Sequence, residues 1–148
     1  MSTTSVWDGA RFVAIDTETT GLHDTARILA VALYCMENGA TVESWCTLMN
    51  PGVFAATEIQ LLDPKKLARA KPFAVHADHL RELLSVESGT VYLVAHNFTY
   101  DAARLAYEYS LLGHHMRLSC YSTQARSHVQ RVWSFRAATW TLSPRHSC

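Results

Sequence analysis

The sequence predicts an α/β domain with a mixed sheet, and three features carry that prediction. Three β-rich apolar runs near the N-terminus are joined by short turns, which makes an antiparallel meander. Two later stretches place apolar residues at helical spacing. Between those two lies a short continuous apolar run, as in a buried central strand. Strands followed by alternating helix and strand describe mixed α/β layering.

The elements follow in order. Arg11–Asp16 is a β-branched and aromatic run that ends in polar residues, and Thr19-Thr20-Gly21 supplies a turn in which glycine accepts unusual backbone angles. Ala26–Met36 is the second strand, Glu37-Asn38-Gly39 a hairpin turn, and Thr41–Met49 the third strand, ended by Asn50-Pro51-Gly52. Ala55–Ala70 is expected to be helical in part, with an interruption at Pro64. Phe73–Val86 is a helix that starts after Pro72 and stops at Ser88-Gly89. Val91–Ala95 is the short buried strand, and Tyr100–Leu112 is a helix. Its apolar stripe is Ala102, Leu105, Ala106, Tyr109 and Leu112, with Gly113 as its stop. Leu118–Gln130 reads as a strand edge running into a helix, whereas Val132–Cys148 has no clear period.

The 148 residues are one domain's worth, and 49% hydrophobic against 18% charged is enough apolar material for a core. No apolar run approaches the length of a membrane span. Met1–Asp8 has neither a basic nor an apolar segment of the kind that opens a signal peptide, so a cytoplasmic location is expected. Cys35, Cys46, Cys120 and Cys148 form no C-x-x-C pair, which fits reduced, mostly buried thiols rather than zinc or disulfides. The net charge of zero conceals a division. Residues 1–112 hold 8 Lys/Arg against 13 Asp/Glu, whereas 113–148 hold five arginines (Arg117, Arg126, Arg131, Arg136, Arg145) and no acid. Such a basic end suits contact with phosphates.

Two constellations carry chemistry. In Phe12–Leu22 (FVAIDTETTGL), Asp16 and Glu18 stand two apart at the end of a strand, so both side chains point to the same face. Like charges that close are costly unless a cation neutralises them, and hard oxygen ligands suit Mg²⁺ or Mn²⁺. In Leu93–Asp101 (LVAHNFTYD), a buried strand runs into His96 and Asn97, and a helix begins near Asp101. Taken alone, Asp101 is a helix N-terminal acid; beside Asp16 and Glu18 it becomes a third candidate metal ligand.

The segments VAIDTETTGL and VAHNFTYD resemble the first and second motifs of the DEDD (DnaQ-like) 3′→5′ exonuclease family, proofreading type, and Asn50-Pro51-Gly52 between them also matches. The likeness covers roughly residues 10–126 of a single 1–148 domain. It implies an RNase H-like fold with a mixed five-stranded sheet and flanking helices. It also implies a two-metal site, with cations about 3.5–4 Å apart that activate water and stabilise the leaving 3′ oxygen. By the same resemblance Asp16 bridges both metals, Glu18 binds the first, and Asp101 holds the second. Backbone near Thr19–Gly21 and the Leu22 side chain meet the terminal nucleotide, and Asn97 approaches the substrate or braces the site; by residue type alone Leu22 is equally a core leucine and Asn97 a strand-end cap. His96 reads as packing or hydrogen-bonded structure rather than a ligand, and Tyr100, where the family often has Phe, as core. The implied partner is nucleic acid, preferentially the 3′ end of single-stranded DNA, with a DNA polymerase as a possible protein partner. The alternatives are a non-catalytic nucleic-acid-binding or polymerase-accessory module, or an RNA-trimming exoribonuclease.

The resemblance stops before the family's third motif, a late-helix aspartate preceded by a His or Tyr general base. After Asp101 the one acidic residue is Glu108, seven positions along the same helix. His114, His115, His128 and His146 have no acid at the family's spacing. Residues 127–148 therefore read as a divergent or truncated tail and are expected to be the least ordered part. General-base help is worth about 10²–10⁴-fold, so turnover is expected to be impaired.

Overall fold

The computed structural model describes residues 10–52, 62–85, 91–122 and 133–142, with backbone only from 117 onward. Strands β1 (Arg11–Thr19), β2 (Ile28–Glu37) and β3 (Ala40–Leu48) form the expected meander, antiparallel throughout. Asn38 and Gly39 at the second turn both take positive φ (50° and 79°), which suits the right-handed twist of a tight hairpin. Two helices, α1 (Pro64–Arg69) and α2 (Phe73–Leu83), precede β4 (Val91–Val94), which pairs parallel to β1. The long helix α3 (Phe98–Leu111) leads through Gly113 (φ 77°) into β5 (His114–Ser122), which pairs antiparallel with β6 (Trp133–Leu142).

The domain is α/β with a mixed sheet of order β3-β2-β1-β4. Among the described residues this sheet has four hydrogen-bonded strands rather than five. The later strands form a separate pair, with β6 running near β4 without a ladder to it. Val91–Val94 accordingly lies at the margin of the four-stranded sheet, with Val91 and Leu93 buried and Tyr92 and Val94 half-buried.

Two further expectations change. Pro64 starts α1 instead of interrupting a helix, because proline's missing N–H costs nothing at the first helical position. Asp63 caps that helix by accepting from the Lys65 N–H at 2.9 Å. Residues 55–61 of the expected helix lie outside the described residues. The period-free stretch from Val132 contains β6, where pairing with β5 supplies order that periodicity does not reveal. Residues 127–132 and 143–148 lie outside the described residues.

Helices α2 and α3 cover one face of the sheet. Val13, Ile15, Val31, Leu33, Cys35 and Leu93 pack there against Phe73, Leu80, Leu83, Leu105 and Tyr109. Phe73 and Tyr109 meet edge to face with ring centroids 5.0 Å apart. The Tyr109 hydroxyl donates to the Ala77 carbonyl at 2.7 Å, and burial pushes its pKa up, so it stays a neutral donor. Tyr109→Phe removes one buried hydrogen bond without opening a cavity. It is expected to cost about 1 kcal/mol in urea unfolding, with an unchanged denaturant slope.

The opposite face is different. Ala14, Asp16, Glu18, Tyr34, Met36, Ser44 and Cys46 are exposed along it, so of the two described thiols Cys35 is buried and Cys46 is not. No helix among the described residues is long and apolar enough to cross a membrane.

Candidate active site

The strict alternation of β1 sorts the first motif. Val13, Ile15, Thr17 and Thr19 turn inward, while Asp16 and Glu18 both emerge on the exposed face at the strand's C-terminal end. Their cross-strand neighbours on β2 are Ala32 and Ala30, so no large side chain stands opposite either carboxylate. The ladder with β2 shifts register between Glu18 and Thr19, where the chain leaves the sheet.

Parallel pairing of β4 with β1 brings the second motif to the same end of the sheet. Asp101, in the first turn of α3, is 5% exposed and faces β1. Its Oδ1 accepts from the Thr17 N–H at 3.1 Å and from the Thr17 hydroxyl at 2.6 Å. Burial pushes the Asp101 carboxyl above the usual carboxylate range. The Thr17 hydroxyl bond opposes that shift, and the charge of Asp16 reinforces it. Asp101 therefore senses the like charge of Asp16, a pressure that a divalent cation would relieve. Oxygen-only donors of this kind fit Mg²⁺ or Mn²⁺. Among the described residues, however, no three Asp, Glu, His or Cys side chains converge as a metal cage, and Asp101 is bonded to Thr17.

A native pKa above the unfolded value means that the folded state binds the proton more tightly. Stability from this group is then present at low pH and lost as pH rises through the folded pKa. Asp101→Asn keeps an acceptor oxygen for Thr17 and removes the charge. It is expected to melt higher than wild type at pH 7, with the difference disappearing below the ordinary carboxylate range. Equal melting at both pH values would contradict the placement of a strained charge here.

Helix α3 does more than deliver Asp101. Its positions 100, 101, 104 and 108 share one side, as i, i+3/i+4 and i+7 spacing requires, and they bind the end of β1, the loop after it and the start of β2. The Tyr100 hydroxyl donates to the Gly21 carbonyl at 2.6 Å and also pairs closely with the Thr19 hydroxyl. Thr19 Oγ1 lies 2.9 Å from the same carbonyl, with its single hydrogen shared between that oxygen and the Tyr100 hydroxyl. Arg104 Nη1 donates to the His23 carbonyl at 2.6 Å. Glu108, 1% exposed, takes Arg27 in a two-point ion pair (2.8 and 3.0 Å) and accepts the Ile28 N–H at 2.9 Å. That bond raises the Arg27 pKa, so the guanidinium remains charged. Glu108 is thereby a structural residue rather than a missing ligand.

The remaining sequence candidates are placed as follows. Leu22 is 89% exposed at the tip of the loop after β1, which excludes a core role. Thr19 is buried; Gly21 has no positive φ, so its expected backbone freedom is not used, and its carbonyl is what the site engages. Asn97 occupies the N-cap position of α3, yet its side chain makes no capping bond and is exposed. His96 is exposed rather than packed, and Tyr100 belongs to the loop network rather than to the core. His114 is half-buried and His115 exposed at the start of β5; His128 and His146 lie outside the described residues. Sequence reading missed Tyr100, Arg104 and Arg27. Polar residues do recur at helical spacing beside Asp101, but that pattern equally describes a solvated helix face, so no local signal singles them out.

No protein-family model matches this chain, and no curated protein matches it. Solved structures do match. E. coli Exonuclease I in complex with a dT13 oligonucleotide is similar at TM-score 0.59 and 17% identity, over 68% of this chain and 24% of that one. A moderately thermophilic Exonuclease I from Methylocaldum szegediense is similar at TM-score 0.59 and 17% identity, over 68% and 23%. An Exonuclease I/SSB-Ct complex is similar at TM-score 0.56 and 18% identity, over 68% and 24%. The shared property is the RNase H-like exonuclease fold. This chain spans about a quarter of the length of those exonuclease chains.

Proposed function

We propose that this domain is a metal-dependent 3′→5′ exonuclease that hydrolyses the terminal phosphodiester of single-stranded DNA. The observation that supports this reading is the pair Asp16 and Glu18, exposed together at the end of β1, with Asp101 of α3 carried to the same end of the sheet and near enough to feel the charge of Asp16, on a fold shared with Exonuclease I. Asp16 and Glu18 would hold Mg²⁺ or Mn²⁺, with Asp101 completing the set. When bound, two such ions lower the pKa of the attacking water and stabilise charge on the departing oxygen.

The chain's own residues do the rest. Thr17 fixes the Asp101 carboxyl by two bonds to one oxygen, which limits its rotation beside Asp16. Leu22 presents an apolar surface to the terminal base. Asn97, exposed and making no capping bond to its helix among the described residues, would bond the sugar–phosphate through its side-chain amide. The segment after Asp101 contains no acid beyond Glu108, and Glu108 is committed to Arg27. General-base help must then come from outside the two motifs, and a slow enzyme is expected.

The test is incubation of the chain with 5′-labelled DNA and RNA in Mg²⁺ or Mn²⁺, with a chelator control. Shortening from the 3′ end that stops on chelation supports the reading, and a DNA-to-RNA rate ratio decides the sugar. A folded protein that binds the oligonucleotide without shortening it would instead favour a non-catalytic binding or polymerase-accessory module. Ligand linkage supplies an independent check, because an ion that binds only the folded state raises the melting temperature.

A further inference from the structure

Arg104 is an expensive residue to keep where it is. It is 5% exposed, and among the described residues no carboxylate lies within ion-pair distance of it. Its Nε is buried without a hydrogen-bond partner among those residues. A buried guanidinium in that state reduces stability. What it does contact is specific: Nη1 donates to the His23 carbonyl at 2.6 Å, and the guanidinium lies 5.5 Å from the Tyr100 ring centre and 6.0 Å from that of Tyr107. Tyr100 in turn donates to the Gly21 carbonyl at 2.6 Å. The two carbonyls flank Leu22, the most exposed of the large apolar side chains described.

We infer that Tyr100 and Arg104 are positioning residues that clamp the loop on both sides of Leu22 and hold that side chain out as a rigid stop for the terminal nucleotide. An exposed leucine on a mobile loop contributes little to binding, because ordering it on contact offsets the apolar gain. Anchoring both neighbouring carbonyls from one helix removes that cost in advance. The same helix carries Asp101, so the stop and the carboxylate move as one unit and their separation is set before substrate arrives. The remaining loop bonds fit this role: the His23 carbonyl also accepts from Ala26 N–H at 3.0 Å, and Thr20 N–H donates to the Arg27 carbonyl at 2.9 Å. This inference rests on the nucleic-acid reading above.

The experiment has two arms on the full chain, using Tyr100→Phe, Arg104→Lys and Leu22→Ala singly and in pairs. Tyr100→Phe removes one hydroxyl, and Arg104→Lys keeps the charge, so each is expected to fold even where Arg104→Ala does not. In the first arm, hydrogen exchange at the Thr20 and Ala26 amides is expected to speed up about tenfold in either clamp variant, with α2 amides unchanged. Unchanged loop exchange overturns the clamp. In the second arm, a fluorescent dT oligonucleotide with a free 3′ end is titrated in Ca²⁺, which is intended to hold the complex uncut. Leu22→Ala is expected to weaken binding about tenfold in wild type and to have little further effect in a clamp variant. Full additivity, with wild type binding well, overturns the inference. Wild type that binds no oligonucleotide overturns the nucleic-acid reading itself, and the exchange arm then still decides whether the clamp exists.

Discussion

Replacing Asp16 and Glu18 together with alanine is expected to abolish 3′ shortening of DNA while leaving the domain folded. Both side chains stand on the exposed face of β1, opposite Ala32 and Ala30, so their removal opens no cavity. Neither carboxylate is part of the Thr17–Asp101 contact that ties α3 to the strand. Removing Asp16 also relieves a like charge that Asp101 senses, so thermal stability should hold or rise. The activity loss is large for a separate reason. Electrostatic stabilisation by a bound ion is worth several kcal/mol, and each 1.36 kcal/mol is a factor of ten, so the rate should fall on the order of 10³-fold or more. The measurement is the gel ladder, with circular dichroism confirming the fold and metal titration of the melting temperature. A double variant that shortens DNA at the wild-type rate would remove Asp16 and Glu18 from the chemistry and leave the fold assignment untouched.

Glu108→Ala is expected to be the most destabilising of the polar substitutions, by about 3 kcal/mol in urea unfolding. Three donors converge on this 1%-exposed carboxylate: Arg27 Nε, Arg27 Nη2 and the Ile28 N–H. Alanine leaves the Ile28 amide unpaired where β2 begins. It also releases Arg27, which bonds the Pro51 carbonyl at 3.1 Å and whose backbone meets Thr20. The Arg27 side chain is about a quarter exposed, so water recovers part of its solvation and the loss stays near the lower end for buried pairs. Glu108→Gln keeps an acceptor for the Ile28 amide and should lose roughly half as much. A loss within 0.5 kcal/mol for alanine, the range of ordinary surface substitutions, would show that the pair contributes geometry without stability.

Much of this fold is legible in local pattern. The meander follows from β-rich runs and Asn38-Gly39, because a two-residue turn with positive φ selects residues that tolerate it. Convergence of Asp16 and Glu18 follows from the period of two along a strand. Pro64 starts α1 although its local context equally fits a break, because proline has both meanings and only the chain before it decides. Among the described residues β5 pairs with β6 rather than as a fifth strand of the main sheet, since strand propensity specifies extended backbone but not which neighbour completes the ladder.

The stripe predicted for α3 was apolar, and Leu105 and Tyr109 are indeed buried; but Asp101, Arg104 and Glu108 are buried with them. Polar residues at helical spacing ordinarily mark a solvated face, and nothing local distinguishes that case from this one. The distinction lies in partners some 80 positions away, Thr17, Gly21, His23 and Arg27, which become neighbours only when β4 pairs with β1 and carries α3 across the end of β1. Leu22 shows the same division in reverse, since its composition suits a core and its 89% exposure follows from a loop pinned on both sides. Strand, turn and carboxylate pair were thus decided within a few residues, where backbone geometry and periodicity act. The buried polar row and the exposed leucine were decided by long-range packing, because a hydrogen-bonding side chain is stable inside only where the fold delivers its partner.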